Sequence, residues 1–163
     1  MSSKVFLFGL QSVGKTSILH RLKKGTFEEH QPTVKADSIP LKIKQTNIVA
    51  VDLPGQERYR SMWSRFLTGS DLLLYILDAA DPSYDEARSA LAFITNLEQA
   101  TDVPLLVCVN KSDLNPITTS EVTERMKLGS VVQFNKGGIA VVSAKTGEGL
   151  NILVDKIITL LQS

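Results

Sequence analysis

The residues best suited to chemistry form the string GLQSVGKT at positions 9–16. Gly9 and Gly14 let backbone N–H groups turn inward around phosphate oxygens, and a helix starting at Lys15 would aim its positive dipole end at them. Lys15 is expected to contact the β- and γ-phosphates, and the Thr16 hydroxyl to ligate Mg²⁺. Gln11, Ser12 and Val13 complete the phosphate-binding loop, and Ser17 stands on the first turn of the helix behind it. A chain of this composition yields about 0.007 such matches by chance, so accident is a poor explanation.

A phosphate loop leaves the rest of the ligand open. The string NKSD at 110–113 follows the apolar run PLLVCV at 104–109, and open α/β sheets bind ligands outside the carboxyl ends of their strands. An ionised Asp113 can accept from guanine N1–H and from the 2-amino group together. Adenine lacks that donor pair and would leave the carboxylate unpaired in its pocket, a difference on the order of several kcal/mol. Asn110 is expected to tie this loop to the phosphate loop, and the Lys111 stem to lie over the base. Further on stand Ser143, Ala144 and Lys145, where the Ala144 N–H can donate to guanine O6.

These strings need elements that deliver them to one edge. VFLF (5–8), LLLYIL (72–77), PLLVCV (104–109) and IAVV (139–142) are unbroken apolar runs, as in strands covered on both faces. Helices are expected at 15–24, closed by Gly25, and at 84–99, opened by Ser83 with Glu86 as a capping box. A third is expected at 149–161, where Leu150, Leu153, Val154, Ile157, Leu160 and Leu161 recur at helical spacing. Residues 38–44 alternate apolar and polar and contain Pro40, which suits an edge strand. A tight turn at 45–47 then leads to a partner strand at 47–52. Alternating strands and helices imply an α/β fold with a mostly parallel six-stranded sheet, one antiparallel edge strand and helices on both faces. The three layers form one domain over residues 1–163.

Composition narrows the function classes. With 18 Lys plus Arg against 17 Asp plus Glu, the net charge of +1 offers no field for nucleic acid or an anionic membrane. The apolar runs fall well short of the ~20 residues that span a bilayer. Cys108 is the only cysteine, consistent with a reducing compartment. MSSKVFLFGL lacks a signal-peptide layout, Ser2 stands where myristoylation needs glycine, and LLQS carries no prenylatable cysteine. A cytoplasmic protein is expected, meeting membranes only through partners or a removed terminus. His20 and His30 have no metal-ligand spacing.

With these motifs in order, the chain resembles the Ras-superfamily small GTPases over essentially its whole length. The order is GLQSVGKT, Thr33 after Pro32, Asp52-Leu53-Pro54-Gly55-Gln56, NKSD and SAK. Within that superfamily it looks most like the ADP-ribosylation-factor branch, through DEAR at 85–88, Met62-Trp63 and TGEGL at 146–150. It departs from that branch in the SAK string, in Lys35 where glycine is usual, in Gln11 where an acid is usual and in Ala36 where phenylalanine is usual.

The resemblance implies a P-loop G domain that hydrolyses GTP to GDP with Mg²⁺. Thr33 would ligate Mg²⁺ and meet the γ-phosphate through its N–H, Gly55 would offer that phosphate a second N–H, and Asp52 would reach Mg²⁺ through water. Gln56 would orient the attacking water while Lys15 offsets charge. Two switch loops, about 25–36 and 52–68, would be held in the GTP state and read by effectors, with Trp63 and Phe66 at positions of an aromatic effector cluster; plain core packing is the other reading of Trp63. An exchange factor and a GTPase-activating protein are expected, because no arginine finger is assignable and turnover should be slow. The alternative is a GTP-loaded scaffold resembling the β subunit of the signal-recognition-particle receptor, which is similar in having proline where this chain has Pro54.

Overall fold

The computed structural model describes residues 2–24, 37–54, 60–81 and 83–163. Strand β1 (Ser3–Gly9) sends Val5 and Leu7 into one apolar layer and Phe6 and Phe8 into the other. Only an interior strand can bury both faces in this way. It lies between β3 (Thr46–Asp52) and β4 (Leu72–Asp78), parallel to both. Parallel strands β5 (Leu105–Asn110) and β6 (Gly138–Val141) continue beyond β4. At the far edge β2 (Asp37–Ile43) runs antiparallel to β3, giving the order β2-β3-β1-β4-β5-β6. The expected sheet is therefore present, with Pro40 on its edge strand. The hairpin turn falls earlier than expected, at Lys44-Gln45, because Ile43 already pairs with Thr46. Lys44 takes φ +53° there, the positive φ that lets a two-residue loop follow the sheet's twist.

Helices α1 (Lys15–Lys24) and α6 (Leu150–Gln162) cover one face through Ile18, Leu19, Leu153 and Ile157. The other face carries α2 (Arg60–Leu67), α3 (Asp85–Thr95), α4 (Thr119–Arg125) and the single turn α5 (Val132–Asn135). Among the described residues no helix is long and apolar enough to cross a membrane. Cys108 is buried in β5, and burial pushes its thiol pKa up.

The start and end of α3 correct the sequence expectation. No Ser83–Glu86 capping box forms; the residue before the helix is Tyr84, in the left-handed region at φ 61° and without a side-chain cap. Burial of the Tyr84 ring outweighs the cap. Its hydroxyl donates to the Ala79 carbonyl, the Arg125 guanidinium lies 4.3 Å from its centroid, and Asp81 Oδ1 accepts the Ser83 and Tyr84 N–H groups instead. The helix stops at Thr95 rather than 99, followed by a 3₁₀ turn at Glu98–Ala100. The Gln133 amide donates to both the Thr95 and Ala100 carbonyls, which gives the last carbonyl of α3 a partner where the helix breaks. The capping box that does form is Thr118 with Glu121 at α4, in a segment too short for its period to show.

Register fixes the functional edge. Leu7 pairs with Asp52, Gly9 with Ile76 and Asp78 with Asn110, so the carboxyl ends of β3, β1 and β4 step along one edge of the sheet and β4 and β5 end level. The chain fills one side of β1 with β3 and the other with β4, and ligand crevices open where strand order reverses in this way.

Candidate functional site

The phosphate-type loop leaves β1 at Gly9 and enters α1, whose first helical bond runs from the Ile18 N–H to the Gly14 carbonyl at 2.9 Å. Gly14 adopts φ +95°, and a Cβ there would run into Asn110 Nδ2. Glycine is thus required twice over, for its backbone and for the close approach of NKSD. Ser12 also takes a left-handed conformation, φ +65°, which makes the loop concave. Gln11 and Ser12 are exposed at its rim, and Val13 and Ser17 are buried beneath it.

Lys15 is 7% exposed, and its ammonium donates to the Leu10 carbonyl at 3.3 Å across the loop. Burial pulls its pKa below the ordinary lysine value, and the Asp52 carboxylate partly opposes that pull. A cation held at such a desolvation cost is stabilised by an incoming anion. Asp52 ends β3 at 2% exposure, and Thr16 Oγ1 donates to its Oδ2 at 3.0 Å. One hydroxyl and one carboxylate are hard oxygen donors, the set that Mg²⁺ accepts beside phosphate. The residues present fit that ion.

Across the crevice, buried Asn110 joins two loops. Its Nδ2 donates to the Val13 carbonyl at 3.0 Å, and its Oδ1 accepts the Ala144 N–H at 3.0 Å. The expected tie to the phosphate loop is therefore present, and the Ala144 N–H expected at guanine O6 is already engaged by Asn110. Ser143 Oγ donates to Asp113 Oδ1 at 2.8 Å and accepts the Thr146 N–H at 3.1 Å. It fixes the rotamer of an otherwise exposed carboxylate, with exposed Lys145 beside it. Lys111, at φ +67°, reaches back so that its Nζ donates to the Ser12 carbonyl at 2.6 Å, with Asp78 Oδ2 at 3.3 Å.

The ADP-ribosylation factor family model matches residues 1–161. The chain belongs to that family. It is a small GTPase of the Arf branch, with the P-loop fold and guanine-nucleotide binding that the family shares. ADP-ribosylation factor-like protein 4C of Homo sapiens is 28% identical, with 96% of this chain and 85% of that protein aligned, and its Mus musculus counterpart gives the same figures. The Arl6 BBS3 small GTPase from Trypanosoma brucei, solved with the nucleotide analogue GppNp, superposes with a TM-score of 0.82 over 99% of this chain and 96% of its own. At 18% identity that likeness concerns the fold alone.

In this Arf-family protein the site candidates Thr33, Gly55 and Gln56 lie outside the described residues, as do Gly25, His30, Lys35 and Ala36. The remaining phosphate, metal and base candidates meet along one edge of the sheet. Of the two readings of Trp63, effector surface and core packing, the structure shows core packing. It is fully buried, packs edge-on to Phe8, and donates its indole N–H to the Pro54 carbonyl at 3.0 Å; Phe66 packs partly buried against the same core. Trp63 thereby ties the exit of β3 to α2. Sequence reading also passed over Asp78, although it closes an apolar strand at this edge as Asp52 does.

Proposed function

We propose that this Arf-family GTPase is a Mg²⁺-dependent molecular switch that hydrolyses GTP to GDP, with Gln56 orienting the attacking water. The observation that carries this reading is the Asn110 side chain. One buried amide bonds both the phosphate loop at Val13 and the base loop at Ala144, so the two ends of a single guanine nucleotide are gripped by one rigid unit. Asp113, oriented by Ser143, accepts from guanine N1–H and the 2-amino group. The Ala144 and Lys145 amides meet O6, the former shared with Asn110. Gln11 through Ser17 surround the phosphates.

Lys15 neutralises charge on the β- and γ-oxygens as the bond from the bridging oxygen to the γ-phosphorus breaks and water attacks in line. Thr16, Thr33 and Asp52, the last through water, would hold Mg²⁺, which would supply further neutralisation of phosphate charge. Thr33 and Gly55 contact the γ-phosphate through their N–H groups. Hydrolysis removes both anchors together and frees the loops at 25–36 and 52–68, which effectors read. A cytoplasmic place, membrane contact through partners, and a role in membrane traffic or related regulation agree with this reading. An exchange factor and an activating protein complete the cycle.

Gln56→Leu tests the hydrolytic step in single-turnover GTP hydrolysis with saturating Mg²⁺. Loss of water positioning predicts a rate at least ~10-fold below wild type at unchanged GTP affinity. An unchanged rate would remove Gln56 from the mechanism and leave a nucleotide-loaded scaffold.

A further inference from the structure

The geometry points to Asp78 as a positioning residue that sets how long guanine nucleotide stays bound, acting through Lys111. This inference rests on the nucleotide-site reading above and extends it to the loop after β4. Asp78 closes β4 directly opposite Asn110 in the register. Its Oδ1 accepts the Ala80 N–H at 2.8 Å, which fixes the carboxylate plane, and its Oδ2 faces Lys111 Nζ at 3.3 Å. The same ammonium holds the Ser12 carbonyl at 2.6 Å.

Lys111 and Ser12 both sit in the left-handed region, at φ +67° and +65°, which side-chain-bearing residues adopt only when their surroundings enforce it. One hydrogen bond links these two residues, and Asp78 faces the ammonium that makes it. With the pair only 31% and 25% exposed, solvent screens the attraction incompletely. Asp78 thus belongs to a bracket joining three loops: the phosphate loop at Ser12, the base loop at Lys111, and the β4 exit. Loss of its charge lets the Lys111 ammonium leave Ser12, relaxes both strained residues and opens the concave face toward the phosphates. Nucleotide leaves faster while the contacts of Asp113 to the base are untouched.

The test is the dissociation rate of a fluorescent GDP analogue from wild type, Asp78→Asn, Lys111→Met and the double variant. Asparagine keeps an oxygen for the Ala80 N–H and removes only the charge. Asp78→Asn should release nucleotide roughly fivefold faster than wild type, and the double variant no faster than Lys111→Met alone. A purely structural role for Asp78 would accelerate release equally in the Lys111→Met background, and that result, or an Asp78→Asn rate equal to wild type, overturns the inference. Should Asp78→Asn fail to fold, as judged by thermal unfolding with GDP, Asp78→Ser offers a hydroxyl acceptor for the same turn and is read in the same way. A wild-type protein that retains no GDP analogue would overturn the nucleotide-site reading itself, and this inference with it.

Discussion

Asp113→Ala should weaken GDP binding by about 10²- to 10⁴-fold. The variant removes two charge-assisted hydrogen bonds to the base, worth roughly 1.5–3 kcal/mol each, and every ~1.4 kcal/mol is tenfold in affinity. Ser143 Oγ, which donates to Asp113 Oδ1 at 2.8 Å, is left without that acceptor, so part of the loss could come from disorder in the loop. Asp113→Asn separates the two causes. Xanthine carries a carbonyl oxygen where guanine has its 2-amino group, and the asparagine amide can donate to it. The Asn variant should therefore prefer xanthosine diphosphate over GDP, as measured by displacement of a fluorescent nucleotide. Equal loss of both nucleotides would mean that Asp113 shapes the loop and does not read the base.

At the phosphate end, Lys15→Met should weaken GTP binding by about 10²- to 10³-fold, on the scale of removing one preorganised donor from a developing anion. Methionine keeps an unbranched apolar stem under the loop and removes the ammonium alone. The ammonium is already partly desolvated, with a pKa below the ordinary lysine value, so its attraction for phosphate acts through little intervening water. Guanosine, which has no phosphate, should compete for the variant as well as it does for wild type. Competition assays with GTP and guanosine measure both. A GTP affinity within about threefold of wild type would place the phosphates away from Lys15.

Much of this site was legible because chemistry constrains its letters. Gly14 is needed at φ +95° against Asn110, Lys15 and Thr16 follow it into a helix, and Asp52 and Asn110 close apolar strands where a polar residue requires a partner. The strands were legible for a related reason, since VFLF and PLLVCV can be continuous only when both faces are covered. Elements whose limits depend on tertiary contacts were not. Tyr84 abandons a local cap because its ring finds Arg125 and the Ala79 carbonyl, and α3 ends where Gln133, distant in sequence, satisfies two carbonyls. Helix α2 escaped for want of length, and Trp63 suited an effector surface or the core until tertiary contacts decided it, with its indole N–H on the Pro54 carbonyl. The Ser12–Lys111–Asp78 bracket joins residues far apart in the chain, and no spacing rule links them.

Hydrogen–deuterium exchange across residues 25–36 and 52–68, compared between the GDP-bound protein and one loaded with a non-hydrolysable GTP analogue and Mg²⁺, tests the switch itself. If the terminal phosphate anchors Thr33 and Gly55, amides in both segments exchange more slowly in the triphosphate form, while β4 and β5 exchange alike in the two. Matching exchange throughout both segments would contradict the account and leave a protein that holds guanine nucleotide without reporting its state.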